Sequence, residues 1–219
     1  MTNSKKVPKF IIKNYIHWKK NSYKVNKEVY DNLNTNGQSP EVMIIACCDS
    51  RVNVSSIMSS LPGECFIHRN IANIVPEYDS KMEDSGTPAA IEFAVKALEV
   101  SHIVILGHSN CGGVKNGYHL CNSGQENQEL KFTSNWLKHL KPAYNLLNET
   151  YNANFNIKKL EKLNIINSLN NLRQYPFILE KVQLNQIFLH GAWIDIGTGD
   201  LELLNQNMMS FEQVNPYKL

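Results

Sequence analysis

The chain has 219 residues, 42% of them hydrophobic, and a formal net charge of +2. That is enough to bury one core of moderate size, and acids and bases that nearly balance give no reason to expect a nucleic acid as partner. No apolar run approaches the roughly 20 residues that span a bilayer, so a soluble protein with no membrane partner is expected.

The N-terminus is rich in lysine, almost free of acids through Lys27, and lacks the apolar centre of a secretory signal. It reads as a basic amphipathic helix packing on the body rather than a transit peptide. Apolar residues at Phe10, Ile11, Tyr15 and Trp18, then Val25, Val29, Tyr30 and Leu33 predict two helices broken near Asn21-Ser22. A loop follows at residues 34–40. Val42-Met43-Ile44-Ile45-Ala46 is a short apolar strand of the kind buried on both faces in parallel sheets.

Residues 54–60 predict a short helix, and Cys65-Phe66-Ile67-His68 a second strand ending at Arg69-Asn70. Thr87 is expected to cap a helix with Pro88 in its first turn and Ala90, Ile91, Ala94, Val95 and Leu98 on one face. Ile103-Val104-Ile105-Leu106 predicts a third strand running into Gly107-His108-Ser109-Asn110-Cys111-Gly112-Gly113. Strand, helix, strand implies a right-handed crossover. Residues 114–128 carry no clear pattern.

Helices are expected over 130–147, over 160–172 and, from Pro176, over 177–182. Residues 187–196 predict a strand that turns at Thr198-Gly199-Asp200 into Leu201-Glu202-Leu203-Leu204, a terminal hairpin. The expected fold is one α/β domain: a mostly parallel central sheet flanked by helices, with a helical arm at 1–37 and a catalytic core at 38–204.

The five cysteines are Cys47, Cys48, Cys65, Cys111 and Cys121. An odd number without a secretion signal predicts a reducing compartment, here the cytoplasm. Cys47 and His108 close the first and third strands, and Cys111 follows three residues later. The carboxyl ends of strands are where ligands gather in open α/β sheets. Two thiolates and an imidazole form a zinc set with a position left for water; a structural zinc would instead need a fourth ligand from Cys48, Cys65, Cys121 or Asp49. His-x-x-Cys alone is a weak signal, and the residues by themselves leave metal binding and coincidence both open. Cys47, Asp49 and Arg51 alternate, so at a strand end they are expected to share one small space. An acid engaged by an arginine favours chemistry over a purely structural site.

These motifs together resemble the beta-class carbonic anhydrases. Cys47, Asp49, Ser50 and Arg51 match the family's Cys-x-Asp-Ser-Arg, residues 108–113 its His-x-x-Cys-Gly-Gly, and Arg69 to Asn73 its Arg-Asn-x-Ala-Asn element. Looser matches at 90–94, 167–169 and 190–191 extend the likeness over most of 38–200. The resemblance implies reversible hydration of carbon dioxide to bicarbonate and a proton by a zinc-bound hydroxide, with one zinc per subunit held by Cys47, His108 and Cys111. It assigns Cys48 to a variable position. Asp49 would orient the nucleophile, and Arg51 would keep Asp49 ionised and off the metal.

The likeness is to the plant-type branch. Its pocket glutamine, which enters the neighbouring subunit's site, corresponds to Gln38; its pocket aromatic corresponds to Phe66, and its pocket tyrosine to Phe93. A second branch binds bicarbonate at a non-catalytic site through a tryptophan, an arginine and a tyrosine. Here those positions are Ile44, Arg69 and Ile194, so that regulation is not expected. The family also implies a homo-oligomer built from dimers, with the N-terminal helices wrapping a partner. The alternatives are a related zinc hydrolase of carbon disulfide or carbonyl sulfide, and a non-catalytic zinc-binding regulatory protein.

Overall fold

The computed structural model describes residues 7–79, 86–151 and 156–218. They fall into two units, one ending at Gln38 and one beginning at Ser39. In the first unit, α1 (Lys9–Lys20), α2 (Ser22–Val25) and α3 (Lys27–Asn36) follow one another. The break at Asn21 is where the sequence places it; its side-chain amide donates to the His17 carbonyl at 2.7 Å, closing α1. The short α2 was not expected. Trp18, Tyr23 and Tyr30 hold this unit together, with Tyr23 and Tyr30 stacked at 5.0 Å and Trp18 5.2 Å from Tyr23. Such ring pairs add to area burial. Phe10, Ile11, Ile12, Tyr15 and Ile16 on α1 stay exposed.

The second unit is organised by β1 (Val42–Cys47), whose residues after Val42 are all buried. A strand apolar on both faces needs cover on both. Around it lie α4 (Val54–Ile57), β2 (Cys65–Asn70), α5 (Gly86–Glu92), β3 (His102–His108), α6 (Gly112–Ser123), α7 (Lys131–Leu137), α8 (Lys141–Tyr151), α9 (Ile157–Leu172), α10 (Pro176–Gln183), β4 (Phe188–Ile194), β5 (Leu201–Asn205) and β6 (Ser210–Gln213). The sheet order is β2-β1-β3-β4-β5-β6. β2, β1, β3 and β4 run parallel, while β5 and β6 are antiparallel additions. The chain thus moves from β1 to one side for β2 and to the other for β3. The carboxyl ends of β1 and β3 flank the point where strand order reverses, the usual place for a site.

On one face Met43, Ile45, Ile103, Ile105, Leu189 and Trp193 pack with Ile91, Val95, Ile165, Leu169 and Ile178 from the helices. On the other, Ile44, Ala46, Leu106, Ala192 and Ile194 pack with Val52 and Val54. α9 lies unusually close to the sheet because β3 and β4 each offer a glycine. A Cβ at Gly107 would stand 2.7 Å from Ile165 Cδ1, and one at Gly191 would stand 2.9 Å from Ile165 Cγ2.

Several expectations need correction. β1 ends at Cys47, so strand alternation is not what gathers Asp49 and Arg51; they sit in a turn in which Asp49 Oδ1 accepts the Arg51 amide at 3.0 Å. Thr87 lies inside α5 rather than capping it. Its hydroxyl instead meets His68 Nε2 at 2.9 Å and accepts from Asn70 Nδ2 at 3.2 Å. α5 then widens over Phe93–Ala97, where Leu98 N–H bonds back five residues to the Phe93 carbonyl.

The unpatterned stretch after Gly113 is mostly α6, a helix whose Gly112, Gly113 and Gly117 depress its propensity. Residues 130–147 are two helices with a tighter turn between them. The C-terminal hairpin continues into β6, so the sheet extends beyond residue 204. His102 is half-buried in β3 with its Nδ1 3.0 Å from His190 Nε2.

Candidate metal centre

Cys47 is the last residue of β1, His108 the last of β3, and Cys111 the cap of α6. All three are buried, and one ligand atom from each lies within 4.8 Å of the others. The turn between His108 and Cys111 is made by two residues. Ser109 donates its amide to the Ile194 carbonyl at 2.9 Å and accepts the Ile196 amide on its hydroxyl at 2.8 Å. Asn110 takes φ +54°, a left-handed conformation that is costly outside glycine and tolerated best by asparagine and aspartate. The backbone therefore doubles back, and Cys111 returns towards His108.

The donor set fits a thiophilic divalent ion. His108 Nδ1 lies 2.9 Å from the Ser109 carbonyl, which places the ring proton there and leaves Nε2 as a lone-pair donor. That Nε2 is buried and has no hydrogen-bond partner among the described residues. A buried, unpaired nitrogen is costly unless something else satisfies it. The Cys47 and Cys111 sulfurs are 3.9 Å apart; two thiolates about 2.3 Å from one tetrahedral zinc would stand about 3.8 Å apart. The Cys111 thiol's hydrogen bond, helped by His108, draws the Cys47 thiol down from its ordinary value. The same bond and burial push the Cys111 thiol up. Cys48, next in sequence, is exposed. It contributes only its backbone amide, to the Asn70 carbonyl at 2.8 Å.

Asp49 and Arg51 face this cluster as a fork: Nε reaches Oδ1 at 2.9 Å and Nη2 reaches Oδ2 at 2.7 Å. The Arg51 guanidinium, through those bonds, holds the carboxyl well below the usual range. Asp49 Oδ2 stands 3.9 Å from His108 Nε2. Arg51 Nη2 also donates to the Asn110 carbonyl at 3.1 Å, tying the carboxylate to the ligand turn. Arg69 braces the neighbouring loop through the carbonyls of Cys47, Asp49 and Val52 at 2.8–3.0 Å.

Of the other sequence candidates, Phe66 and Phe93 lie away from the ligand cluster within the second unit. Phe66 pairs in register with Met43, four residues before Cys47, or about 13 Å along the strand. It contacts Phe93 with ring centroids 5.9 Å apart, and Phe93 is 49% exposed. Gln38 closes the first unit.

One group next to the ligands escaped the sequence reading. Glu161 on α9 is 2% exposed and accepts from the Cys111 amide at 2.8 Å and the Trp193 indole at 3.1 Å. Burial pushes its pKa up, opposed by those two donors. The signal was a polar stripe, Glu161, Asn164, Ser168 and Asn171, at helical spacing inside a leucine-rich helix. All four are buried. Asn164, Ser168 and Asn171 bond the backbone of residues 72–75, including Ala72 and Asn73 at positive φ.

Comparison with known proteins places this geometry in context. A family profile described as "Carbonic anhydrase" matches residues 42–201. "Beta carbonic anhydrase 3" of Arabidopsis thaliana is 36% identical over 194 residues, covering 86% of this chain and 73% of that protein. The solved structure of the beta-carbonic anhydrase CcaA superposes with a TM-score of 0.87 at 29% identity, over 95% of this chain and 92% of that one. A tetrameric beta-carbonic anhydrase from Sordaria macrospora gives a TM-score of 0.73 at 30% identity, over 90% and 95%.

Proposed function

Because the chain belongs to the beta-class carbonic anhydrase family, we propose that its metal is zinc, held by Cys47, His108 and Cys111, and that Asp49 and Arg51 serve the reaction there. The reaction is the reversible hydration of carbon dioxide to bicarbonate and a proton. The carrying observation is the convergence of two cysteines and an unpartnered imidazole nitrogen beside a carboxylate that an arginine already occupies. When bound, zinc would supply Lewis acidity and lower the pKa of a water far below its bulk value, though two thiolates would leave that water less acidic than an all-imidazole set would.

The chain's own residues do the rest. Ionised Asp49 is an acceptor only, so it takes a hydrogen bond from the attacking water and turns an oxygen lone pair to the substrate carbon. Arg51 keeps that carboxylate ionised, and its two-pronged grip holds Asp49 in place. A regulatory protein with a closed site would have Asp49 turned to the metal; here Arg51 engages both of its oxygens.

The plant-type branch is our finer reading, supported by Gln38 and Phe66 at that branch's pocket positions; Phe93 stands where the branch has a tyrosine, so a hydroxyl role there is absent. We read the enzyme as a homo-oligomer of dimers in which those three residues serve a neighbouring subunit's site. The support is the open face of Phe93 and the apolar row left exposed on α1.

Stopped-flow carbon dioxide hydration on the metal-loaded protein tests the core of this, with Asp49→Asn beside it. Turnover in the wild type, largely lost in the variant at equal zinc content, is expected. Zinc-replete wild type without turnover from neutral to alkaline pH would remove the reading.

A further inference from the structure

We propose that Glu161 is a positioning residue for the metal site, fixing the Cys111 arm from behind. The inference rests on the reading that Cys47, His108 and Cys111 hold the metal. A carboxylate as deeply buried as that of Glu161 is unfavourable without partners, and no cation pairs with it among the described residues. Its two oxygens are instead divided between two N–H donors: Oε1 takes the Cys111 amide and Oε2 the Trp193 indole. Each bond restrains a different oxygen, so the carboxylate cannot swing without losing one.

Both donors are themselves held. Trp193 is 1% exposed, and the ammonium groups of Lys158 and Lys162 lie 4.3 and 4.9 Å from its ring centroid. Those lysines are anchored in turn on Glu202. A cation over the face is attracted to the indole and restrains the ring. On the other side, the Cys111 amide belongs to the turn that Asn110 bends through positive φ. That turn is gripped at two successive points, by Arg51 on the Asn110 carbonyl and by Glu161 on the Cys111 amide. The first grip ties it to Asp49, the second to α9. Without the second, the strained turn is free to relax and carry the Cys111 sulfur away from His108 Nε2. Outer partners that orient ligands in this way typically account for 10–100-fold in metal affinity.

The experiment loads metal-free protein with cobalt(II), reading affinity by chelator competition and geometry by the thiolate charge-transfer and visible bands. Cys47→Ser tests the underlying ligand assignment: a wild-type spectrum in that variant would remove the ligand set, whatever Glu161 does. For Glu161→Ala we expect affinity to fall on the order of 10–100-fold, with shifted visible bands and native circular dichroism. Glu161→Gln keeps the shape but presents only one acceptor to two donors, and a smaller loss with a band shift is expected. Trp193→Phe, which removes the rear donor alone, should shift the bands in the same direction. Folded Glu161 variants with wild-type affinity and band positions would overturn the proposal. If neither glutamate variant folds, an unchanged spectrum and affinity in Trp193→Phe overturns it.

Discussion

Arg51 grips Asp49 by both oxygens, at 2.9 and 2.7 Å, and the same arginine reaches the carbonyl of Asn110, one residue before a metal-site cysteine. A lysine at this position has one compact ammonium and cannot make that fork. Arg51→Lys should therefore lower carbon dioxide hydration on the order of 10²-fold by misplacing Asp49, with zinc content unchanged. Steady-state kinetics beside metal analysis checks both parts; full activity in Arg51→Lys would show the fork to be dispensable.

The adjacent cysteines should behave oppositely. Cys47 is buried at the ligand cluster, while the Cys48 side chain points to solvent. Cys47→Ser should lose bound zinc on dialysis and Cys48→Ser should retain about one equivalent. Emission spectrometry of the dialysed proteins distinguishes them, and retention by the first would place the ligand on the wrong thiol.

Gly107 and Ile165 should be energetically coupled. A methyl added at Gly107 meets Ile165 Cδ1 at 2.7 Å, and overpacking of this kind costs about 1–3 kcal/mol. Ile165→Val removes that terminal carbon at about 0.5–1.5 kcal/mol. Urea denaturation of both single variants and the double should show the double less destabilised than the sum. Strict additivity would mean that the helix moves instead.

His68 should make the fold acid-sensitive. Burial lowers its pKa from the usual value of about 6.5, so the native state favours the neutral ring held by Thr87. The sign follows: this contribution is present above about 6.5 and is lost as pH falls through the lower folded-state value. Urea midpoints of metal-free protein should drop below pH 6.5, and less steeply in His68→Gln. Parallel profiles would assign the loss to other groups.

Arg69 bears on regulation. Its guanidinium is committed to three carbonyls, and the positions of the second branch's tryptophan and tyrosine are Ile44 and Ile194. Initial rates should decline with bicarbonate without cooperativity; a sigmoidal decline would contradict this.

The parallel sheet was legible because it rests on local signals, apolar runs closed by chemically distinctive residues, while Cys47, His108 and Cys111 were settled as one ligand set only through the family resemblance. What was missed depends on partners distant in sequence. Glu161 went unnoticed on a leucine-rich helix, because its donors come from Cys111 and Trp193, 50 and 32 residues away. β6 has the sequence Ser-Phe-Glu-Gln and is a strand only because β5 is there to pair with it. α6 was hidden by its glycines. Asp49 and Arg51 were grouped correctly for a wrong reason, since a turn rather than strand alternation joins them.

The separation of 64 residues between Cys47 and Cys111 has a consequence for biosynthesis. A nascent chain displays Cys47 long before β3 exists to pair with β1, and until that parallel pairing closes there is no pocket for an ion to enter. Parallel pairings across such distances form slowly, since the loop-closure entropy must be met first. The full ligand set therefore exists only once that pairing has closed, and the binding energy of a metal held by all three residues adds to the stability of the paired sheet.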